Sequence, residues 1–366
     1  MSELRVLQVL GRSAGGIGRH VARITTLLEA RGDVHVDVAA PVNMEVPMPT
    51  AVREADIPDG LTTGHVRAVR AVRSAIAGGR YTVVHGHGLR AGVDAAIAAR
   101  LSGVPCVVTL HNLVRPETSG RVGALAYRRG ENLVGMLADS LFVVSEEMVE
   151  RLGRRAGLRG KTQLLLLSVP IPGVTRNPTA VRDELGVPPG APLAVWVGRF
   201  APQKAVDVLL DALVSLPDAF LALIGDGPLR SQLEDKVKRD GTHDRVRFIG
   251  WKDQVGDYLA AADIFVLVST WEARSLAAQE AILLDTPVVT TAVGGMTELV
   301  VDGESGWLVP PGDAKAVAAA LASAFAQPEL AHSFAAKARQ NLMAVAGEHV
   351  VVERLVKEYR RLAARA

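Results

Sequence analysis

Cysteine, aromatic residues and long apolar runs are scarce in this sequence of 366 residues. The single cysteine, Cys106, excludes a disulfide framework within one chain, an iron–sulfur cluster and a zinc site built from several cysteines. No apolar run reaches the roughly 18 residues of a membrane-spanning helix. The start, MSELRVLQVL, lacks the basic region and long apolar stretch of a secretion signal. The sequence therefore predicts a cytoplasmic protein in a reducing compartment.

Strong charge of either sign is also missing. The 41 Lys and Arg residues against 39 Asp and Glu leave a net charge of +2, which argues against a dedicated nucleic-acid-binding protein. Apolar residues make up 49% and charged residues 22% of the chain, values typical of a globular protein rather than a disordered one. Because one hydrophobic core rarely serves 366 residues, the length predicts two domains.

The same pattern occurs twice, with short β-branched runs alternating with longer helical patterns. It predicts two α/β domains of Rossmann-like type, 1–170 and 171–347, each with a doubly wound parallel sheet, and a C-terminal helix over 348–366. Residues 168–191, rich in Pro and Gly, are typical of a linker. Ligands are expected in a cleft between the domains, at loops after the carboxyl ends of strands. The predicted strands are 5–10, 35–39, 82–85, 106–110, 140–144, 194–197, 220–224, 246–249, 264–268, 287–290 and 306–309.

A glycine-rich turn with Gly15 and Gly16 follows the first predicted strand. The spacing of Gly11 and Gly16 fits a phosphate-binding loop, but Ile17 and Gly18 stand where that motif has Lys and Ser or Thr. No acidic residue ends the second strand, so the dinucleotide fingerprint is absent as well. Two interpretations stay open: a helix amino terminus that binds an anion through its backbone N–H groups, or a tight strand-to-helix turn.

Histidines end the third and fourth strands of the first domain. For His85 the sequence favours a histidine whose hydrogen bonds are satisfied at the strand end. His111 follows a fully apolar strand, so we expect it at the ligand site, where an imidazole can hydrogen-bond sugar hydroxyls or transfer protons. Because no cysteine or carboxylate stands at ligand spacing, no metal site is predicted.

Cationic side chains follow the first strand of the second domain. Arg199 and Lys204 stand five residues apart around Gly and Pro, where they can hold a diphosphate or simply be solvated loop charges. Gly225 follows the next strand, and a glycine there lets the backbone approach a ligand closely.

Two glutamates flank a predicted helix start in the second domain. Ser275 is expected to cap a helix that runs to about Leu284, with Glu272 in the loop before it and Glu280 more than one turn inside. Such carboxylates can grip a polyhydroxyl ligand while the helix start binds an anion. The alternative is an exposed pair of acids beside a helix.

In their order and spacing these segments resemble the retaining glycosyltransferases of the GT-B fold, family four (glycosyl transferases group 1). The resemblance covers nearly the whole chain and rests on Gly15-Gly16 with Arg19-His20, Val84-His85-Gly86-His87, Leu110-His111-Asn112, Gly198-Arg199 to Lys204, Gly225-Asp226-Gly227-Pro228, Glu272 with Glu280, and Gly294-Gly295 to Glu298. It implies transfer of a sugar from a nucleotide-diphosphate sugar to a hydroxyl acceptor, with retention, without a metal ion and without a cofactor besides the donor. It further implies a role in cell-envelope glycolipid, polysaccharide or glycoconjugate synthesis, and a C-terminal helix that crosses back to the first domain.

The resemblance also implies roles for single residues. Arg199 and Lys204 would hold the diphosphate and stabilise the charge that grows on it, with Glu272 near the donor sugar hydroxyls, Glu280 at the ribose and His111 near the transferred sugar. Further donor contacts are expected at the backbone of Gly15, Gly16, Gly225, Gly250, Ser275 and Leu276.

Departures from the family pattern keep other functions open. Ala273 and Arg274 stand where the family has Gly and an aromatic or apolar residue, and Ala205 replaces a glycine after the lysine. Arg274 could meet a charged donor sugar, an acceptor phosphate or nothing. A nucleotide-sugar epimerase on the same fold and a catalytically silent nucleotide-sugar binder are the alternatives to a transferase.

A basic surface is predicted in the first domain. Arg67, Arg70 and Arg73 recur at three-residue spacing, and a second basic region spans 151–159. The surface either rests on anionic lipid and reaches a lipid-linked acceptor, or it is a solvated helix face. The first interpretation predicts peripheral contact with the inner face of the cell membrane. The sequence leaves the oligomeric state open.

Overall fold

The structure is a computed structural model that describes residues 3–12, 16–44, 46–60, 62–112, 116–155 and 157–365. The chain divides into two units. Unit 1 comprises Met1–Ser168 together with Ala346–Ala366, and unit 2 comprises Val169–Val345.

Unit 1 is built on a parallel sheet with the strand order β3-β2-β1-β4-β5-β6-β7. Its strands are β1 (Leu4–Leu10), β2 (Val34–Ala40), β3 (Val52–Glu54), β4 (Val83–His87), β5 (Cys106–Leu110), β6 (Ser140–Val143) and β7 (Thr162–Leu164). Its helices before residue 168 are α1 (Gly16–Glu29), α2 (Gly64–Gly79), α3 (Leu89–Ser102), α4 (Pro116–Leu137) and α5 (Glu146–Gly153). The strand order reverses between β1 and β4, which makes the carboxyl ends of these two strands the expected ligand site of the sheet.

Unit 2 repeats this architecture with the strand order β10-β9-β8-β11-β12-β13, again parallel. Its strands are β8 (Leu193–Val197), β9 (Phe220–Ile224), β10 (Val246–Gly250), β11 (Ile264–Leu267), β12 (Val288–Thr291) and β13 (Trp307–Val309). Its helices are α6 (Pro178–Glu184), α7 (Val206–Val214), α8 (Arg230–Arg239), α9 (Gly256–Ala261), α10 (Leu276–Leu283), α11 (Met296–Leu299), α12 (Ala314–Ala326) and α13 (Pro328–Ala346), with a 3₁₀ turn at Pro202–Lys204. Here the order reverses between β8 and β11.

Two doubly wound parallel sheets confirm the predicted Rossmann-like architecture, and each predicted strand is present with its ends shifted by no more than two residues. The three-residue edge strands β3 and β7 were not predicted, because Val52-Arg53-Glu54 and Thr162-Gln163-Leu164 carry no apolar run. The predicted linker, 168–191, is in part ordered structure of unit 2. It contains α6, which buries Val181.

The last helix, α14 (Glu348–Ala363), belongs to unit 1. Its apolar face contributes Val351, Val352, Leu355, Val356, Tyr359 and Leu362 to the core that β1, β2 and β4 share with α1. Helix α14 is therefore amphipathic and buries its apolar face in unit 1. In the described part of the chain, no helix combines the length and apolar character needed to cross a bilayer.

Candidate functional site

Lys204 and Glu272 meet beside the point where the strand order of unit 2 reverses. Lys204 ends the 3₁₀ turn that follows β8, and Glu272 lies in the loop that follows β11. Lys204 Nζ donates a hydrogen bond to Glu272 Oε1, and Ser269 Oγ donates to the same oxygen over 2.6 Å. The two charged side chains are largely buried, 19% and 9% exposed, so each carries a charge that the other compensates.

Backbone contacts hold these two loops together. The amide of Thr270 donates to the carbonyl of Gln203 over 2.8 Å, and Gln203 Nε2 donates to the carbonyl of Trp271 over 2.6 Å. On the other side, the amide of Gly295 donates to the carbonyl of Glu272 over 3.0 Å. A Cβ at Gly294, where φ is +48°, would lie 2.0 Å from that carbonyl, so only glycine fits there. Glu272 is thus fixed from two neighbouring loops.

Ala205 joins the 3₁₀ turn to α7 in a conformation that alanine rarely adopts. Its φ of 45° and ψ of 42° lie in the left-handed region, which costs an L-residue about 1–2 kcal/mol relative to glycine. In the family pattern that the sequence resembles, a glycine stands at the position of Ala205. The turn therefore adopts a left-handed conformation without a glycine, at the cost of local strain.

Helix α10 presents its amino terminus next to Glu272 in the sequence. Ser275 Oγ accepts a hydrogen bond from the amide of Ala278 over 3.2 Å, which confirms the predicted cap. The amides of Leu276 and Ala277 have no acceptor within the helix because they lie in its first turn. Together with the helix dipole they favour an anion at this end. Glu280 lies half-buried one turn further along the same helix.

The predicted contacts of Arg199, Gly225 and Gly250 differ in kind. Arg199 is exposed after β8, and its guanidinium makes no hydrogen bond or ion pair with any residue that the structure describes. A Cβ at Gly225 would lie 1.8 Å from the carbonyl oxygen of Gly198, so this glycine serves the contact between the loops after β8 and β9. Gly250 ends β10 at φ +78°, next to Trp251, whose side chain is 62% exposed. Donor contacts at all three positions stay predictions.

Arg274 is an internal residue. Its side chain is 1% exposed, and its Nη1 lies 3.5 Å from Oε2 of Glu298. Among the described residues, none of its three guanidinium nitrogens has a hydrogen-bond partner. Burial lowers the pKa of Arg274 to about 10, against the opposing effect of Glu298. The structure thus places this guanidinium against a glutamate of its own unit, a partner that was not predicted from the sequence.

Four histidine rings, those of His20, His85, His87 and His111, are buried together near the carboxyl ends of β4 and β5. Ring centroids of neighbours lie between 4.1 Å (His85 and His87) and 5.7 Å (His87 and His111, His20 and His111) apart. Burial lowers the pKa of His20 to about 4 and of His85 to about 3, and it holds the pKa values of His87 and His111 well below 6.5. The rings are therefore neutral at pH 7, when each nitrogen pair offers one donor and one acceptor.

The hydrogen-bond partners of these histidines distinguish a structural residue, His85, from two candidates for ligand binding, His87 and His111. His85 shares hydrogen bonds with Tyr359 Oη at 2.6 Å and Thr109 Oγ1 at 2.7 Å, which confirms it as a satisfied strand-end histidine. His111 Nε2 lies 3.4 Å from His87 Nδ1, whereas His111 Nδ1 and His87 Nε2 are buried without a hydrogen-bond partner in the described part of the chain. Both rings line a cavity of about 200 Å³ with Gly11, Asn112 and Tyr127.

The glycine-rich turn is only partly described. Gly15 lies outside the described residues, and Gly16 is the first residue of α1. Its predicted phosphate contact stays a prediction.

Sequence comparisons agree with these two units. The family model of glycosyl transferases group 1 matches residues 178–341, and that of the glycosyl transferase 4-like domain matches residues 15–166. The D-inositol 3-phosphate glycosyltransferase of Xylanimonas cellulosilytica is 30% identical over 89% of this chain and 87% of its own length. The lipopolysaccharide core biosynthesis glycosyltransferase LpsE of Rhizobium meliloti is 34% identical, over 47% of this chain and half of its own length.

A solved structure shares the whole architecture. Anabaena Alr3699/HepE, in complex with UDP and glucose, has a TM-score of 0.81 at 20% identity and covers 96% of this chain and 98% of its own. Two doubly wound parallel sheets with this likeness define the GT-B fold. The chain belongs to the GT4-type glycosyltransferases, the family of glycosyl transferases group 1. The fold class and the family predicted from the sequence are confirmed.

Sequence reasoning missed the direct contact between Lys204 and Glu272. It assigned the lysine to the diphosphate and the glutamate to the sugar, and treated them separately. The only available signal was their position after two strands that become neighbours at the reversal of strand order. It also missed Ser269 as a second donor to Glu272.

Proposed function

We propose that this glycosyltransferase binds a nucleotide-diphosphate sugar in unit 2 and transfers the sugar, with retention, to a hydroxyl acceptor in cell-envelope glycolipid, polysaccharide or glycoconjugate synthesis. The observation that carries the donor site is the Lys204–Glu272 ion pair beside the reversal of strand order in unit 2. That position is where α/β sheets bind ligands.

The charges of this region suit a diphosphate leaving group. An ammonium has three donors, so Lys204 keeps two for phosphate oxygens after its bond to Glu272. The amides of Leu276 and Ala277 add donors at the start of α10, and the uncommitted Arg199 supplies a second cation. Donors fixed in this way stabilise the negative charge that develops as the glycosidic bond breaks. The proposed mechanism uses these side chains and no metal ion.

The glutamates and the base contact complete the proposed donor site. The second oxygen of Glu272 accepts from sugar hydroxyls, Glu280 accepts from the ribose, and the exposed ring of Trp251 stacks on the base. The complex of the Anabaena protein with UDP and glucose supports a donor of this chemical class.

The cavity that His87 and His111 line in unit 1 is the proposed binding site for hydroxyl groups of the reacting sugar and acceptor. His111 and His87 each hold one buried ring nitrogen that has no partner among the described residues. A neutral imidazole nitrogen of this kind accepts from, or donates to, a sugar hydroxyl. Filling the cavity of about 200 Å³ with hydroxyl groups would satisfy both nitrogens.

Labelled UDP-, GDP- and ADP-sugars, incubated with and without an acceptor extract, test the reaction class. Transfer of label to a new product supports the proposal. Interconversion of the donor sugar alone identifies an epimerase, and binding without turnover identifies a silent binder. Retention is tested separately by the coupling constant of the anomeric proton in the isolated product.

Substitution of Lys204 tests the donor site. Lys204→Ala is expected to lower kcat by about a hundredfold, roughly 3 kcal/mol in the transition state, and to weaken nucleoside diphosphate binding. Lys315→Ala, an exposed lysine of the same unit, is the matched control. Equal kcat in both variants would contradict the assignment of Lys204 to the diphosphate.

Peripheral contact with an anionic membrane is the second part of the proposal. Arg67, Arg70 and Arg73 are exposed on one surface of α2, and each such cation near an anionic bilayer contributes about 1 kcal/mol. Co-sedimentation with phosphatidylglycerol vesicles at low salt is expected for the natural chain and lost when all three become Gln. No binding by the natural chain would refute this part alone.

A further inference from the structure

A groove of about 1020 Å³ lies in unit 1 at the amino ends of β5, β6 and β7. It is at the opposite edge of the sheet from the histidine cluster, which stands at the carboxyl ends of β4 and β5. The volume is that of a small-molecule site. Six cationic side chains line the groove, against two acidic ones: Arg100, Lys161, Arg354, Lys357, Arg361 and Arg365.

Both acids of the groove are committed to internal contacts. Glu358 accepts from Arg361 over 2.5 and 2.7 Å, and Gln163 Nε2 donates to it over 3.3 Å. Asp139 accepts from the amide of Cys106 over 2.8 Å. The two carboxylates offset two of the six positive charges, so the groove keeps an excess of four.

Four of the six cations are uncommitted. Lys161 donates to the carbonyls of Gly135 and Ala138, and Arg361 pairs with Glu358. The side chains of the other four make no hydrogen bond or ion pair with the residues that the structure describes: Arg100, Arg354, Lys357 and Arg365. Their charges meet in one concavity, which raises the local concentration of anions.

The two flanks of α14 differ in whether their charged side chains form ion pairs. On the flank toward α1 and the loop after it, charges are paired: Arg23 with Glu348, Arg31 with Glu353, and Arg360 with Asp33. On the groove flank, the spacing of three, four and four residues from Arg354 through Lys357 and Arg361 to Arg365 lines up like charges. Neighbouring like charges at such spacing destabilise a helix. The helix dipole offsets this only near the carboxyl end, so Arg354 and Lys357 are left without compensation.

We propose that this groove binds a ligand that carries at least two phosphate groups, at a site separate from the donor site of unit 2. Phosphate oxygens match the forked donors of arginine, and four uncommitted cations suit a ligand with several negative charges. The ligand is either a soluble phosphorylated molecule or the phosphorylated headgroup of a lipid, which share this chemistry.

Calorimetric titration with inorganic tripolyphosphate tests the site in the full-length chain. The protein is first saturated with UDP, so that the donor site is filled, and one further binding event of 1:1 stoichiometry is expected. Lys204→Ala without UDP should retain this event, because that substitution removes a cation of the donor site and leaves the lining of the groove unchanged. Failure of UDP to bind would count against the donor site, whereas the tripolyphosphate event would still report on the groove.

A triple variant identifies the groove as the location. Arg354→Gln, Lys357→Gln and Arg365→Gln remove three exposed cations and leave the Arg361–Glu358 pair and the apolar face of α14 in place. We expect the triple variant to bind tripolyphosphate at least about tenfold more weakly than the natural chain at low salt. The affinity of the natural chain for tripolyphosphate should fall as salt is added. The control triple, Lys238→Gln, Arg239→Gln and Lys315→Gln, removes the same charge from exposed positions of unit 2.

Vesicles of phosphatidylcholine and cardiolipin, whose headgroup carries two phosphates, form the second arm. Both triples are tested there in a chain that already carries Arg67→Gln, Arg70→Gln and Arg73→Gln, so that binding through α2 does not contribute. The site is supported if the groove triple loses binding and the control triple keeps it. This result in the tripolyphosphate arm supports a soluble ligand, and the same result in the vesicle arm supports a lipid headgroup. Equal losses in the two triples, or no binding in either arm, would overturn the proposal.

Discussion

Lys204 and Glu272, 68 residues apart in the sequence, form an ion pair whose acceptor oxygen also receives the hydroxyl of Ser269. The pair couples the loop after β8 to the loop after β11. It therefore has two consequences that can be separated, one for the stability of unit 2 and one for the chemistry proposed there.

Removal of one partner is expected to cost stability. Lys204→Ala leaves the Glu272 carboxylate buried with Ser269 as its remaining side-chain donor, a loss of about 3 kcal/mol by analogy with broken buried pairs. Lys204→Ala with Glu272→Gln removes the orphaned charge and should recover most of that loss, but not the activity. Urea unfolding followed by tryptophan fluorescence measures the effect in unit 2, because all four tryptophans lie there. A double variant as unstable as the single one would contradict this account.

Ala205→Gly is expected to stabilise unit 2. The left-handed conformation of Ala205 costs about 1–2 kcal/mol, and the added freedom of glycine in the unfolded chain gives back about 0.4–1 kcal/mol of this. The net gain should be about 0.5–1 kcal/mol in the same fluorescence experiment. Ala201→Gly is the matched control: its φ of −131° is unstrained, so glycine there should only destabilise.

The Arg274–Glu298 contact predicts unequal effects of its two single variants. Arg274→Met removes a desolvated guanidinium that has no hydrogen-bond partner among the described residues and leaves the partly exposed Glu298 carboxylate in contact with solvent, so stability should stay close to that of the natural chain. Glu298→Gln leaves that guanidinium without its neighbouring charge and should destabilise by about 3 kcal/mol. Thermal unfolding ranks the variants. If Arg274→Met proves the less stable of the two, the guanidinium makes a contact that the ion pair does not explain.

The histidine cluster predicts that unit 1 loses stability in mild acid. Histidines of the unfolded chain bind protons near pH 6.5, whereas burial keeps the pKa of His20 at about 4 and of His85 at about 3. The unfolded state therefore binds more protons below pH 6.5, and the free energy of unfolding falls as the pH falls from 6.5 toward 4. Each such histidine contributes about 1.4 kcal/mol per pH unit.

Hydrogen exchange of unit 1 peptides between pH 7.5 and 5, corrected for the intrinsic exchange rate, measures this loss. His332→Gln, at an exposed position in unit 2, is the control and should leave the slope unchanged. Equal protection of the β4 and β5 peptides at pH 7.5 and pH 5 would show that the cluster takes up protons within the fold.

The sheets could be predicted because their strands are buried on both faces and appear as short β-branched runs, such as Phe220–Ile224. The edge strands β3 and β7 carry mixed polar residues and give no such signal. The cap at Ser275 could be predicted because it depends on neighbours in the sequence.

The site was predictable only as a set of loops. Strand order places Lys204 next to Glu272, but no local pattern encodes a contact across 68 residues. Arg274 shows the same limit. Its residue type departs from the family pattern, and only the structure provides Glu298 as its neighbour. The groove on α14 was not predicted either, because it depends on which flank of the helix meets α1.

The position of α14 in the sequence constrains the order in which the two units can complete their folding during synthesis. Its 16 residues follow unit 2 in the sequence but pack into the core of unit 1, where Tyr359 Oη hydrogen-bonds with His85. The ribosome therefore synthesises all of unit 2 before α14, the helix that completes the core of unit 1. Until α14 has been synthesised, the part of the unit 1 core that this helix covers stays exposed, and exposed apolar surface of this kind favours aggregation.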